Sequence, residues 1–475
     1  MESRRKFLKI GSATLLLAGP SGYATLLRIL KQEPERFLHA CSTGDLESVK
    51  MYLSKDVGVL DLKDATGKSG YALAHLGHHR EVGDFLKESG YQADLHEAAL
   101  ALDWERFSEL TGNETPETQT LVNADHPVGG CAMWAAAAGG AGSDIWRVYA
   151  PSGDPNCNPR GPKGSTALQQ ALRHPDLPTA EMTAASLLSN HADPDPVRNA
   201  DRPPLHLAAE RGRKELVEML VRHGANPDRK DDSGKTPYDL AKENGHDPVA
   251  ELLEAHQQIK RTCRTSQTAI TADGSTYSVP EDLESIPQYL RSHLVGNAHG
   301  NLDFVTKSVS ADPRMAHSVA TTGEHAVEAC AHTGRKDLVD YLLKNGAPYS
   351  LPTAVMMNDF TTVTRLLDED PRRIQERGAH DFALLWYPVI GQCESGMMKL
   401  LLERGALVEE QHFLGTTALH WACLRGQMEM VELLVAHGAD VNRTGRKFKA
   451  YGERPLQMAK DEKIADFLKS KGARS

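Results

Sequence analysis

Histidine offers the most chemistry in this sequence, because it serves as a general base and as a metal ligand at neutral pH. The chain has 21 histidines, but it has no His-Glu-x-x-His motif, and no pair of histidine–acid clusters stands at metal-ligand spacing. The sequence therefore predicts no metal ligand. The alternative is a zinc site assembled across separate segments of the chain.

Glycine-rich segments that could cradle a phosphate are also incomplete. In the run 161–166, Lys163 precedes Gly164, whereas a phosphate-binding loop needs Gly-Lys-Ser/Thr after a strand. The glycines in 139–142 do not form Gly-x-Gly-x-x-Gly, so we interpret them as sites of close packing. The sequence contains no Gly-x-Ser-x-Gly elbow. We expect no catalytic residue and no cofactor.

The seven cysteines include no Cys-x-x-Cys pair. Cys41, Cys330 and Cys423 stand among small residues, which favours a buried apolar role. Cys131 and Cys157 flank one irregular segment, and a disulfide between them is an open alternative in an oxidising compartment.

The charge balance argues against nucleic-acid binding. The net charge is −10, and we find no block of basic residues that would form a nucleic-acid-binding patch. Length alone suggests about two to four domains. Only 6% of residues are aromatic and 40% are hydrophobic, which fits thin helices rich in Ala and Leu.

An internal repeat organises the chain. Within 203–253, Pro204-Leu205-His206 aligns with Pro237-Tyr238-Asp239, and the next matches, Ala208 with Ala241 and Gly212 with Gly245, keep the same offset of 33 residues. A fixed period of this size is typical of stacked repeats. At these residues the chain resembles the ankyrin repeat family.

The resemblance implies an all-α solenoid of helix-turn-helix units with short β-hairpin-like fingers, arranged in two arrays. We predict a first array over 25–256 with about seven repeats, a linker or insertion over 257–288, and a second array over 289–475 with about six. The polar stretch 111–128 is interpreted as a long finger or insertion, and 443–451 as a lengthened basic finger. In this family, histidines at the positions of His206 and His420 bond between neighbouring fingers.

The N-terminal residues 1–24 resemble a bacterial twin-arginine export signal. Arg4 and Arg5 precede Phe7 and Leu8, an apolar run follows, and small residues end the segment. The apolar run is too short for a permanent membrane span. We expect export to the periplasm or cell envelope, and the alternative is a basic helix on a cytoplasmic protein.

The resemblance also implies a concave binding surface built from finger tips and from the residues after the paired alanines. The corresponding residues are Arg202, Glu210, Arg211, Lys235, Glu243, Asn244, His332, Thr333, Phe413, Leu414, Leu424 and Arg425. The strongest candidates are Phe413, Leu414 and Leu424. They belong to one repeat, which would therefore expose three apolar side chains.

The sequence therefore predicts a non-catalytic, monomeric scaffold that binds a protein partner, exported and without a membrane span in the mature chain. One alternative is a cytoplasmic regulatory scaffold. Another is an enzyme or an accessory subunit with a site in 111–165 or 257–288.

Overall fold

The structure, a computed structural model, describes residues 34–112, 115–150, 152–157, 164–196, 202–255, 263–264, 270–272, 274–411, 415–445 and 453–474. These residues are mostly helical, and consecutive helices form antiparallel pairs joined by tight turns. The pairs stack on one another, which is the architecture that the repeat pattern predicts.

The described part of residues 34–255, which we call the first array, forms seven helix pairs. They are 34–43 with Leu46–Lys55, Gly70–Leu76 with Arg80–Glu88, Leu95–Ala101 with Trp104–Thr111, Ala132–Gly139 with Gly142–Ile145 and Trp146–Tyr149, Ala167–Arg173 with Leu177–Ser189, Pro204–Glu210 with Lys214–Arg222, and Pro237–Glu243 with Asp247–Glu254.

Six further described pairs lie within residues 283–474, which we call the second array. They are Gln288–Ala298 with Leu302–Ala311, Ala326–Thr333 with Lys336–Lys344, Leu351–Met356 with Phe360–Glu369, Trp386–Ile390 with Ser395–Glu403, Ala418–Leu424 with Met428–Ala436, and Pro455–Met458 with Glu462–Ser470. Short 3-10 turns accompany them at Leu283–Ser285, Pro313–His317, Pro371–Gln375 and Ala379–Asp381, and a further one follows the first pair of the chain at Val57–Asp61.

The first helices of several pairs begin at a polar cap that the sequence supplies. Thr236 accepts a hydrogen bond from the backbone of Asp239, and the Asp239 carboxylate accepts one in return from the Thr236 backbone. Pro237 fits the first helical position, because its missing N–H would have no partner there. Reciprocal caps of this kind fix where a helix starts.

Small residues let the first helices approach closely. Ala208 and Ala209 are fully buried, and Ala98 and Ala99 occupy the same position in an earlier repeat. A Cβ added at Gly139 would lie 2.0 Å from the backbone oxygen of Leu100, so this glycine sits at a backbone contact between neighbouring repeats. The close-packing role predicted for 139–142 is confirmed.

The apolar core falls into two clusters, one running from Phe37 to Leu253 and the other from Leu283 to Leu468. Cys41, Cys330 and Cys423 are fully buried in these clusters, as predicted. Cys131 and Cys157 are both free thiols, and Sγ of Cys131 lies 3.6 Å from the backbone oxygen of Cys157.

The polar stretch 111–128, predicted as a long finger or insertion, contains a helix and so fits the second of these alternatives. It contains the helix Pro116–Asn123, whose N-cap Thr115 accepts a hydrogen bond from the backbone of Thr118. The packing of Val122, which is fully buried, holds this helix on the array. A cap residue followed by proline at the first helical position is the local reason for the helix.

Parts of the predicted insertion 257–288 pack on the second array. Cys263–Arg264 pairs in parallel with Glu376–Arg377, and Ile270 pairs with Tyr349 through two backbone hydrogen bonds. Residues 256–262, 265–269 and 273 lie outside the described residues.

Hairpin fingers precede several of the first helices. In the finger 231–235, the Asp231 carboxylate accepts hydrogen bonds from the backbone of Ser233 and Lys235, and Gly234 takes a positive φ of 79°. Asp64 and Lys68 form the same arrangement near the start of the first array. None of the helices in the described ranges combines the length and the apolar character needed to span a membrane.

Candidate functional site

Three histidines and one glutamate meet inside the second array. We call His299, Glu324, His332 and His380 the histidine–glutamate cluster. Each offers one nitrogen or oxygen, and these four atoms lie within 4.8 Å of one another. Glu324 is the centre of the group, because each of the three imidazoles lies close to its carboxylate.

Glu324 is placed by a hairpin finger. Residues 318–326 form this finger, with Ala320 donating to the Glu324 backbone oxygen and Val319 paired with His325. The side chain of Glu324 is 5% exposed. Its Oε1 atom lies 3.1 Å from Nδ1 of His332 and 3.8 Å from Nε2 of His299, and its Oε2 atom lies 3.3 Å from Nε2 of His380.

His299 and His332 come from the ends of first helices. His299 follows the helix Gln288–Ala298, and its Nδ1 lies 3.1 Å from the backbone oxygens of Val295 and Gly296. The Nδ1–H group donates to the backbone, which turns Nε2 toward Glu324. His332 lies in the last turn of Ala326–Thr333, and its Nδ1 is 3.0 Å from the backbone oxygen of Glu328.

His380 reaches the cluster from a finger two repeats further along the chain. It lies in the turn Ala379–Asp381 with φ of 52°, and the next residue, Asp381, has φ of 64°. Positive φ in residues with a side chain costs about 1–3 kcal/mol, so the surrounding contacts must hold this turn in place. One of these contacts joins Nδ1 of His380 to Oδ1 of Asn190 at 2.7 Å.

The cluster sets the protonation of its members. Burial alone would raise the pKa of Glu324, but the charges of His380 and His299 and the adjacent ring nitrogens of His332 and His380 hold it well below its usual value. Burial opposes protonation of His380, yet the nearby Glu324 carboxylate outweighs it and raises the pKa of His380. Burial lowers the pKa of His332 to about 4. The group therefore holds an ionised carboxylate beside at least one neutral imidazole.

The cluster borders a cleft of about 600 Å³ between the two arrays. His299, Glu324 and His380 line one side of it, and Trp146 and Tyr149 of the first array line the other. The phenol oxygen of Tyr149 is buried without a hydrogen bond. The cleft gives solvent a path to three of the four cluster residues.

Fingers of the second array dock on the first array, and we call this contact the array junction. Thr321 donates to the backbone oxygen of Gly153 at 2.9 Å, and the turn Ala379–Asp381 contacts the helix Leu177–Ser189. Nε2 of His223 lies 3.2 Å from Oδ2 of Asp381, and both side chains are largely buried. The junction therefore uses polar groups of the fingers.

Glu410 joins two arginines at the same junction. Its Oε2 lies 3.0 Å from Nη1 of Arg222, in the first array, and it also pairs with Arg377. The side chain of Arg377 is only 5% exposed, so this carboxylate compensates a buried cation.

Five of the six predicted partner-binding residues of the first array lie on an accessible edge. Arg202 pairs with Glu210 at 2.5 Å, and Lys235 pairs with Glu243 at 2.6 Å. All four side chains are about a third to a half exposed. Asn244 is exposed.

Other predicted partner residues are placed differently. Arg211 donates to the backbone oxygen of Leu172 and binds the preceding repeat. The side chain of His332 is turned into the histidine–glutamate cluster with 10% exposure, and Thr333 donates to the backbone of its own helix at Ala329. The structure therefore moves His332 from the predicted partner surface to an internal group.

The predicted apolar face of the second array is described only in part. Leu424 is half-buried and Arg425 is exposed. Phe413 and Leu414 lie outside the described residues, as do most of the finger 443–451 and the export-signal residues Arg4, Arg5, Phe7 and Leu8.

The two histidines assigned to fingers have the predicted role. Nε2 of His206 lies 3.1 Å from the backbone oxygen of Lys235, and Nε2 of His420 lies 3.1 Å from that of Arg443. Each histidine thus joins its helix to the next finger. These contacts confirm the structural interpretation.

A second group of possible donors consists of Asp94, His96 and His126. Nε2 of His126 already bonds Asp94 at 2.8 Å, and Nε2 of His96 lies 3.2 Å from the backbone oxygen of Ala124. Asp94 also caps its helix by accepting from the backbone of Glu97. In this group the Asp94 carboxylate and the Nε2 atoms of both histidines thus have local partners.

No short-range pattern in the sequence marks the histidine–glutamate cluster. Its members come from three kinds of place in the repeat pattern: helix ends, a finger and an irregular turn. In sequence, His299 and His380 are 81 positions apart. The usable signal is that His299 and His332 stand at equivalent repeat positions, directly after an alanine at the end of a first helix.

The comparisons agree with this architecture. A family model described as ankyrin repeats matches in three copies, over residues 132–231, 179–263 and 389–474. The described helix pairs, with hairpin fingers between them, have the ankyrin-repeat fold. The chain therefore contains ankyrin repeats.

Similar curated proteins match over short segments only. The mouse (Mus musculus) B-cell lymphoma 3 protein homolog is 38% identical over 79 residues, which is 17% of each chain. Mouse ankyrin repeat and SOCS box protein 6 is 47% identical over 64 residues, 13% of this chain and 15% of that protein, and the human (Homo sapiens) protein is 56% identical over 46 residues, 10% of each. The chain thus spans less than a fifth of the length of these relatives.

A solved structure, that of the human ASB11 ankyrin repeat domain, also matches. It is 19% identical, with a TM-score of 0.25, and the match covers 58% of this chain and all of that domain.

Proposed function

We propose that this chain is a protein-interaction scaffold whose recognition surface is the accessible edge of the first array around 202–244. The observation that carries the proposal is a charged pair that recurs with the repeat. Arg202 with Glu210, and Lys235 with Glu243, place a finger cation beside a helix-end anion at an offset of 33 residues.

The recurring pair suits recognition because it is exposed and presented on a rigid frame. The finger between the two pairs is fixed by Asp231, and the following helix by the reciprocal cap at Thr236. A preformed surface loses little conformational entropy when it binds. Exposed ion pairs contribute at most about 1 kcal/mol to stability, so their exchange for partner contacts costs the fold little.

The first array is favoured over the second because the fingers of the second array are engaged. Glu324, His380 and Glu410 all lie on fingers that face the cluster or the array junction. A partner therefore meets the first-array edge without displacing internal contacts.

Charge reversal tests the proposed surface. The variant Arg202→Glu with Lys235→Glu places like charges beside Glu210 and Glu243, and we expect it to lose the proteins that the wild type retains in affinity capture. The matched control is Lys307→Glu with Lys399→Glu, on exposed second helices of the second array. Equal retention by both variants would contradict the assignment of this edge, provided that both unfold at the wild-type temperature.

We also propose that the scaffold works outside the cytoplasm. The support is the residue order in 1–24, where Arg4 and Arg5 precede an apolar run and small residues. Changing both arginines to lysine keeps the charge, and we expect the protein to remain in the cytoplasm of a host with a twin-arginine pathway. An unchanged distribution on cell fractionation would favour the alternative of a cytoplasmic regulatory scaffold.

A further inference from the structure

We propose that His299, Glu324, His332 and His380 bind one divalent transition-metal ion, with Zn²⁺ as the expected occupant. The site is independent of the partner surface, since its residues face the inside of the second array and the cleft. It adds a metal-binding activity to a scaffold whose sequence predicts none.

The donor set has the chemistry of a transition-metal site. Three imidazoles and one carboxylate suit zinc and its first-row neighbours, whereas magnesium and calcium prefer oxygen donors throughout. Zinc bound by four protein ligands is tetrahedral, with Zn–N distances of about 2.0–2.1 Å, so its donors lie roughly 3.3 Å apart.

The distances around Glu324 are close to this requirement. Its oxygens lie 3.1 Å from His332 and 3.3 Å from His380, while His299 is slightly further away at 3.8 Å. The four donor atoms lie within 4.8 Å of one another, so they must converge by at most about 1.5 Å to reach the spacing of tetrahedral zinc.

Two of the imidazoles are oriented as metal ligands are. Metal-bound histidine usually donates its other ring N–H to a carbonyl or carboxylate, which fixes the free nitrogen toward the ion. Nδ1 of His299 faces the backbone oxygens of Val295 and Gly296, and Nδ1 of His380 faces Oδ1 of Asn190. In both residues, Nε2 is the atom that faces Glu324.

The carboxylate itself carries an unfilled lone pair. In this structure Nδ1–H of His332 donates to the backbone oxygen of Glu328, so the ring must carry its proton on Nε2 instead when Nδ1 binds an ion. Oε1 is buried and receives no hydrogen bond. A buried anionic oxygen without a donor is costly, and a bound cation supplies the missing partner.

The backbone at His380 gives independent support. Residues 380 and 381 both take positive φ, at 52° and 64°, which places the imidazole over the finger that carries Glu324. Such conformations concentrate at ligand-binding sites, where the ligand contributes to holding them. The cleft supplies an entry path, since three of the four donors line it.

Metal content tests the proposal directly. Purified full-length protein is treated with a chelator, dialysed against ZnCl₂ and then against buffer, and its zinc is measured by mass spectrometry. We expect one zinc per chain in the wild type and in the His437→Ala control, which removes an exposed histidine outside the cluster. We expect less than a tenth of that in His380→Ala with Glu324→Gln.

Two further variants test the support of His380 and the second group of donors. Asn190→Ala keeps all four donors of the cluster but removes the support of His380, and we expect about 10–100-fold weaker zinc binding in a competition titration. Asp94→Asn with His126→Ala disrupts the second group and should leave the zinc content unchanged. Loss of zinc in that variant, but not in the cluster variant, would assign the metal to the second group and overturn the proposal.

A measurement on the wild type avoids dependence on variant folding. Replacement of zinc by Co²⁺ should give the intense visible absorption of a four-coordinate site without a thiolate-to-cobalt charge-transfer band, because the donors are nitrogen and oxygen. Wild-type protein that retains no stoichiometric zinc, and shows only the weak spectrum of hydrated Co²⁺, would refute the site.

Discussion

Nδ1 of His380 lies 2.7 Å from Oδ1 of Asn190, across 190 positions of sequence, and this bond joins a finger of the second array to a helix end of the first. Asn190 is itself anchored, since its amide nitrogen donates to the backbone oxygen of Ser186 at 2.6 Å. The side-chain amide therefore presents its oxygen to the histidine. The orientation of His380 is thus set by the first array.

Glu410→Gln should destabilise the protein strongly. The substitution leaves Arg377, 5% exposed, and Arg222 without their shared carboxylate at the array junction. Because Arg377 keeps Asp381 at 3.6 Å and Arg222 keeps Glu218 at 3.0 Å, we expect a loss of about 1–3 kcal/mol rather than the full penalty of an unpaired buried charge. Urea unfolding should show this loss, whereas Asp303→Asn, which breaks the exposed pair with Lys307, should change the free energy of unfolding by less than about 1 kcal/mol. Equal effects of the two variants would mean that the junction is solvated.

Acidification should destabilise the fold partly through His420. Nδ1 of His420 accepts from the backbone N–H of Thr417, and Nε2 donates to the backbone oxygen of Arg443, so the ring is held neutral. Burial lowers the pKa of His420 from 6.5 to about 4. Between these values the unfolded chain binds a proton that the folded chain does not, so stability falls as pH drops from 6.5 to 4.

The lowered pKa of His420 corresponds to at most about 3 kcal/mol of stability. Unfolding measured at about pH 7 and about pH 4.5 should show a smaller pH-dependent loss in His420→Gln than in the wild type. His75 and His96, whose pKa burial also lowers to about 4, contribute losses of the same sign in both proteins. An identical pH profile in the variant would show that His420 does not titrate as described.

Gly139→Ala should disrupt the contact between two neighbouring repeats. Its Cβ would lie 2.0 Å from the backbone oxygen of Leu100, and backbone cannot move aside as a flexible side chain does. We expect a loss of at least about 1–3 kcal/mol in thermal or urea unfolding.

Gly296→Ala is the matched control for that substitution. Gly296 lies within the helix Gln288–Ala298, and a Cβ there meets no atom within 4 Å. Alanine in an open helical position should add about 0.5–1 kcal/mol of stability. A similar gain in both variants would indicate that helical propensity, rather than the close approach at Leu100, governs Gly139.

Thr115→Ala should loosen the helix Pro116–Asn123. The threonine hydroxyl accepts from the backbone of Thr118, and loss of such a cap costs about 1 kcal/mol. Hydrogen exchange should rise in 116–123 before it rises in the neighbouring helix Ala132–Gly139. Thr115→Ser keeps the hydroxyl and should restore wild-type protection, and failure to do so would point to a role for the methyl group.

The repeat architecture could be predicted because its physical causes are local. Pro204 and Pro237 open helices, Ala208 and Ala241 keep them thin, and the glycines that follow permit the turn. These requirements recur every 33 residues, so each repeat supports the interpretation of the next. The local cap at Thr115-Pro116 was also a usable signal for a helix, whereas the polar composition of 111–128 predicted only a long finger or insertion.

The histidine–glutamate cluster and the array junction could not be predicted in the same way. Both depend on how one array lies against the other, and no local pattern encodes that arrangement. His332 illustrates the difference. Its place after the small residues of its helix implies an exposed concave position, and it is covered by the finger that carries Glu324 and the turn that carries His380.

The short connection at 345–350 bears on how this solenoid folds and on whether its repeats can be deleted or duplicated. The repeat that begins at Leu351 follows the preceding helix after only these few residues, and Tyr349 pairs with Ile270 of the insertion. In ordinary repeat arrays stability is a sum of nearest-neighbour terms, so units can be deleted or duplicated. Here some contacts join repeats that are not neighbours, and others join the two arrays. Loss of one internal repeat would therefore displace the residues of both the histidine–glutamate cluster and the array junction. The array junction thus adds contacts between distant repeats to the nearest-neighbour contacts of the solenoid, and we expect the two arrays to unfold together.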